Sequence, residues 1–165
     1  MRVSTSAAFL ALAAAGANAG YISVAVSSGT FEGYQLSVDD TLSFAELVPA
    51  AEASGRPTTW FTEPHYYGHV NYYSLDIETN DSRYWITVDS SNDVTSEGPF
   101  VLTTESFSVT NTWWQESTGV WRYTGYGKAP FGCINSAGKI QLKIYTDGSK
   151  PENCEQVALA WTSAE

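Results

Sequence analysis

Basic residues are scarce in this chain. Lys and Arg number 8 against 18 Asp and Glu, for a net charge of −10. Polyanion surfaces need clustered cations, so this balance argues against nucleic acid and anionic membrane as partners. Cysteine is scarcer still: Cys133 and Cys154 are the only two. No CxxC and no Cys/His cluster supplies the three or four ligands of a zinc site. The chain also lacks the G-x-S-x-G of a serine hydrolase, a P-loop and a dinucleotide-binding fingerprint. Beyond the first twenty residues no apolar run approaches the roughly 18 residues of a membrane-spanning helix. The C-terminal Trp161-Thr162-Ser163-Ala164-Glu165 carries no hydrophobic tail for a glycolipid anchor.

The N-terminus has the layout of a secretory signal peptide. Arg2 provides a positive start, Ala7 to Ala15 a short apolar run, and Ala17-Asn18-Ala19 an A-x-A cleavage site. Residues 1–19 are therefore expected to be removed, leaving a single domain over 20–165 that works outside the cell. In an oxidising compartment two cysteines most simply pair with each other. A Cys133–Cys154 bridge would close a loop of about 20 residues and stabilise by roughly 3 kcal/mol. It would staple the last strands together. Export also makes the sequon Asn80-Asp81-Ser82 available for glycosylation at Asn80.

The charge is uneven. Residues 20–119 hold 14 acidic and 2 basic residues, Arg56 and Arg83, whereas residues 120–165 hold 4 acidic and 5 basic. A solvated acidic face is the simplest reading.

Short runs of period-two alternation recur along the mature chain. They include 21–26, 34–38, 70–77, 84–88, 100–102, 107–110, 120–123, 139–145 and 157–161. All are rich in Val, Ile, Thr and aromatics, which suit a pleated surface buried on one side. Turn signals separate them, among them Ser117-Thr118-Gly119 and Asn135-Ser136-Ala137-Gly138. This spacing predicts an all-β, single-domain antiparallel β-sandwich or barrel with one disulfide. Phe44 to Ala53 is the one expected helical turn, shortened or broken by Pro49. No internal repeat is visible.

The densest polar and aromatic stretch runs from Trp60 to His69 and on to Tyr72-Tyr73. It reads as a loop containing Pro64 and Gly68. His65 and His69 have the i,i+4 spacing of helical metal ligands, but Pro64 and Gly68 argue against a helix, and no further ligand is specified. No cofactor or metal is expected. The same stretch offers Glu63 and His65 as base and acid, with Arg83 as a phosphate clamp, the residue types of small secreted ribonucleases. The acidic charge opposes that chemistry. Asp89-Ser90-Ser91-Asn92-Asp93 reads as a polar turn, since it lacks the glycine and terminal glutamate of a calcium loop. Six Trp, ten Tyr and seven Phe also supply planar rings for sugar stacking. Trp60, His65, Tyr66, Tyr67, Trp113 and Trp114 are the candidate ligand-binding residues. Adjacent strand residues such as Trp113 and Trp114 point to opposite faces, so one of them is expected to face solvent or a ligand.

The C-terminal third shows an order of features. Val120-Trp121-Arg122-Tyr123-Thr124-Gly125 leads through Phe131-Gly132 to Cys133. The alternating strand with Ile140, Leu142, Ile144 and Tyr145 follows, then Asp147-Gly148, Cys154 and Val157-Ala158-Leu159-Ala160. This order resembles the end of the fungal secreted cell-wall protein phiA and IgE-binding-protein-like family. That family carries an additional N-terminal cysteine pair, which is absent here. The resemblance covers about 45 residues and implies a secreted, non-catalytic, wall-associated or free β protein, with roles in surface or spore development. Cell-wall polysaccharide or a host protein is the expected partner. A secreted carbohydrate-binding or host-directed effector protein is the alternative, and a small secreted hydrolase the outside one.

Overall fold

The computed structural model describes residues 18–27, 29–67, 70–79, 82–88, 97–104, 113–123, 127–146, 148–149 and 151–163. Twelve strands account for most of them. They are β1 (Asn18–Ser27), β2 (Gln35–Val38), β3 (Ala45–Val48), β4 (Trp60–Tyr67), β5 (Val70–Glu78) and β6 (Arg83–Val88). The others are β7 (Gly98–Thr103), β8 (Trp113–Gln115), β9 (Val120–Tyr123), β10 (Lys128–Ile134), β11 (Ile140–Thr146) and β12 (Cys154–Ser163). Among the described residues a single 3-10 turn spans Ala50–Glu52. Among the described residues no helix is long and apolar enough to cross a membrane.

Every strand pairing is antiparallel, and six of them close a ring. β1 pairs with β4, β4 with β5, β5 with β8, β8 with β9, β9 with β12, and β12 returns to β1. That ring is a closed barrel, which leaves no sheet edge open among its strands. The other six strands form three hairpins, β2–β3, β6–β7 and β10–β11. The hairpins touch one another in a triangle. β3 pairs with β11, β11 with β7, and Phe44 bridges Val101 to join the third side. A six-stranded barrel capped by three hairpins in this order is a β-trefoil. Of the two architectures expected from the sequence, the barrel is the one adopted.

The trefoil has a threefold internal repeat: β1–β4, β5–β8 and β9–β12. The sequence hides it because equivalent places carry different residues. The fourth strand of each unit opens with Trp60, Trp113 and Cys154 respectively.

The core explains the strand pattern. Ile22 and Val24 of β1, Leu75 and Ile77 of β5, Ile86 and Val88 of β6, and Leu159 of β12 are buried in one cluster. Leu142 and Ile144 of β11 join it, with Ile140 packed against it. Period-two alternation selects these residues in each strand. Burying them supplies most of the stabilisation, at about 25 cal/mol per Å² of apolar surface.

The segment Phe44–Ala53 departs from expectation. Ala45–Val48 is a strand, and the helical character is confined to the turn after Pro49. All four residues of β3 are buried, because the cap covers both of its sides. With every position buried, the charged Glu46 included, the burial does not alternate and the strand signal is lost from the sequence.

The two cysteines are bonded. Cys133 and Cys154 sit directly opposite each other on β10 and β12, with Cα atoms 4.1 Å apart. The bridge ties a cap hairpin to the last barrel strand. Phe131 and Ala129 pack with it in a second small cluster, and Tyr145 lies against them.

Candidate functional site

Trp60 and Trp113 lie in the buried core rather than on a binding face. Both side chains have 0% exposure. The Trp60 indole N–H donates to the Leu36 carbonyl at 2.9 Å. Trp113 packs on Phe100, with ring centroids 5.3 Å apart. Large rings fill the barrel because its radius leaves volume that aliphatic residues alone would not occupy. These two candidates are therefore core residues and cannot stack on an external ligand.

The stretch expected to be a loop is largely a strand. β4 carries Glu63, Pro64, His65, Tyr66 and Tyr67, paired in turn with Ser74, Tyr73, Tyr72, Asn71 and Val70 of β5. Proline within a ladder normally argues against a central strand, and that hid β4. The strand backbone positions His65, Tyr66 and Tyr67 in neighbouring register. Trp114 lies opposite Arg122 on β9, well apart along the chain. Gly68, His69, Asn80 and the Asp89–Asp93 turn lie outside the described residues, as does the expected strand 107–110.

The two arginines of the acid-rich stretch have internal partners. Arg83 Nε donates to Asp76 Oδ2 at 2.6 Å, and Asp76 has 0% exposure. The guanidinium also lies over the Trp85 ring, 5.1 Å from its centroid. Arg56 Nη1 donates to Glu46 Oε2 at 3.2 Å, and Glu46 is buried in the cap. Lys139 approaches the other Glu46 oxygen at 3.9 Å and Asp40 at 3.2 Å. A buried carboxylate needs a counter-charge. Residues 20–119 hold only two, and both go to the buried acids Glu46 and Asp76. Exposed Glu32, Glu52, Glu78 and Glu97 then give the outer surface its negative charge.

This arrangement bears on the triad of Glu63, His65 and Arg83. Glu63 is in register with Ser74 and Arg83 with Glu78. These positions are four residues apart along β5, about 13 Å of strand. Arg83 also turns towards Asp76.

Two carboxylates are held below the usual range. Asp39 closes the turn between β2 and β3. Partial burial pushes its carboxyl up, but hydrogen bonds from the Thr41 hydroxyl and the amides of Phe44, Ser43 and Thr41 outweigh it. The amide bonds from Ser43 and Phe44 measure 2.7 and 2.8 Å. Glu97 is lowered by the Thr146 hydroxyl, against some desolvation, and by the Thr146 amide and the charge of Lys128.

A groove of about 370 Å³ opens beside the disulfide. Phe31, Ile134, Pro151 and Cys154 supply its apolar lining, and Glu152, Asn153 and Glu155 its polar lining. Nothing in the sequence marked this place. It gathers residues from the β1–β2 loop, the end of β10 and the turn before β12, which are distant in the chain.

No family model matches the chain, and no curated protein matches it. Among solved structures, one similar chain belongs to the crystal structure of the Haemophilus ducreyi cytolethal distending toxin. The likeness spans 89% of this chain and 83% of that one, with a TM-score of 0.53 and 11% sequence identity. At that identity the comparison speaks to fold alone.

Proposed function

We propose that this chain is an exported, non-catalytic protein that acts by binding at the cell surface or cell wall. The observation that carries the reading is the filled barrel. Trp60, Trp113 and Trp121 close its interior, so ligands meet only the outer strands, hairpins and turns. The arginine suited to clamping a phosphate is engaged with Asp76. The leader-like N-terminus and the disulfide support export. The C-terminal resemblance to secreted fungal wall proteins supports the place of action.

Cleavage after Ala19 has a visible consequence. β1 pairs with β4 through Asn18↔Thr62, Ala19↔Phe61 and Gly20↔Trp60. Removing the leader would take two of these three pairs, while the longer ladder with β12, from Gly20 to Ser27, stays.

A second reading, an effector directed at a host cell, draws support from the leader-like N-terminus, the small size and the disulfide. One experiment separates the two. The full chain is expressed with its leader in a filamentous fungus, and medium, wall and cell fractions are compared. N-terminal sequencing is expected to start near Gly20, and the protein is expected in the wall, released by glucanase and resistant to salt. Recovery only from the medium, with binding to host cells, would favour the effector. Retention inside the cell would end both readings. Turnover of RNA or glycans that disappears in Glu63→Gln would end the non-catalytic one.

A further inference from the structure

We propose that the groove beside the disulfide is a docking site for a basic, partly apolar segment of a partner protein. The inference deepens the binding reading above and rests on it. Three observations carry it. The first is an isoleucine left open to solvent. Ile134 is 50% exposed, one of only two large hydrophobic residues so exposed among those described, and the partly exposed Pro151 lines the same groove, whose other apolar residues, Phe31 and Cys154, are buried.

The second is charge. Glu152 and Glu155 line the groove, and no cation does so among the described residues. Apolar residues beside two carboxylates match a lysine or arginine side chain, whose stem is apolar and whose head is charged. An arginine head can meet a carboxylate through two parallel hydrogen bonds.

The third is preorganisation. Glu155 is fixed before any partner arrives: its oxygens accept from the Thr30 amide at 3.0 Å and the Thr30 hydroxyl at 3.1 Å. A Cβ on Gly29 would lie 2.7 Å from Glu155 Oε2, so a side chain there would displace this carboxylate from its place. On the other side, the Ile134 amide donates to the Asn153 carbonyl at 2.9 Å and the Cys154 amide to the Pro151 carbonyl at 3.2 Å. Asn153 holds a φ of 57°, a left-handed conformation that asparagine tolerates better than most residues. The disulfide anchors this turn to β10. A site rigid before binding loses less entropy when occupied.

The test uses the oxidised mature chain, labelled with nitrogen-15. The probe is a blocked pentapeptide of alternating arginine and leucine, with a glutamate-leucine pentapeptide as control. Saturable shifts are expected at the amides of Phe31, Ile134 and 153–155, from the basic peptide alone. Ile134→Ser, which removes the apolar contact without adding charge, is expected to weaken binding about tenfold. Glu152→Gln, at an exposed position outside the Thr30 contacts, is expected to weaken it about threefold. Equal binding of the acidic peptide would overturn the proposal. So would shifts spread over the whole acidic surface and indifferent to both variants, or shifts of the same amides by β-glucan or chitin oligomers instead. Wall fractionation reads export and retention independently, so the groove can fail while the binding reading stands.

Discussion

Asp39 shows how a single side chain fixes a turn. Its carboxylate gathers the Ser43 and Phe44 amides, and the Asp39 amide itself donates to the Phe44 carbonyl at 3.0 Å. The chain thereby reverses between β2 and β3, the hairpin that contributes Leu36, Val38 and Leu47 to the core. A lowered carboxyl stabilises the fold above its unfolded value, near 3.8, and loses that contribution as pH falls through the lower folded value. Asp39→Ala is therefore expected to cost about 1 kcal/mol at neutral pH, since solvent screens a partly exposed turn. Denaturant titrations at pH 7 and below pH 3 check the sign. The gap between wild type and variant should narrow in acid, and a gap independent of pH would disprove the role. The sequence at Asp39-Asp40-Thr41 shows turn-forming residues, but it does not show which acid would cap the turn.

At the scale of elements, the C-terminal hairpin was the most readable part of the chain. Asn135-Ser136-Ala137-Gly138 forms the turn between β10 and β11 as its residues suggest. The Asn135 carboxamide accepts the Ala137 and Lys139 amides at 2.9 and 3.0 Å, and Gly138 takes a φ of 76°. Ser117-Thr118-Gly119 likewise turns β8 into β9, with the Glu116 amide bonded to the Val120 carbonyl at 2.8 Å. Alternation was legible wherever one face meets the core, as in β11. It failed at β3, which is covered on both sides, and at β4, where Pro64 sits inside a ladder. Candidate sites fared less well. Exposure of Trp60 and Trp113 depends on which face the barrel closes over, and no local pattern encodes that.

The disulfide gives an element-scale prediction. Cys133 and Cys154 are 21 residues apart, so the bridge restricts a sizeable loop in the unfolded chain. Replacing both by alanine is expected to cost about 3 kcal/mol, on the order of 10 °C in Tm for a domain of this size. Hydrogen exchange should quicken first in β10, β11 and the start of β12. A melt unchanged by a reductant shown to cleave the bridge would refute this.

The whole molecule carries an electrostatic load set by how its cations are placed. Arg56 and Arg83 belong to Glu46 and Asp76. Arg122 pairs with Glu116 at 3.0 Å, and Lys139 with Asp40. The net charge is −10, and among the described residues Glu32, Glu52, Glu78 and Glu97 face water. Like charges on a compact surface repel, and unfolding relieves that repulsion. Salt relieves it too: the Debye length falls from about 30 Å at 0.01 M to about 8 Å at 0.15 M. The exposed pair Lys139–Asp40 should weaken over the same range, but such pairs contribute only about 0–1 kcal/mol each. Repulsion among the excess acids acts over longer distances and is screened more completely. Tm at pH 7 is therefore expected to rise with sodium chloride across this range, most steeply at the low end. Replacing exposed Glu32 and Glu52 by glutamine should flatten the rise, since these changes remove charge without touching the core. A Tm that falls with added salt would mean that attractive pairs dominate the surface. The surplus acid would then be locally balanced rather than left for a basic partner.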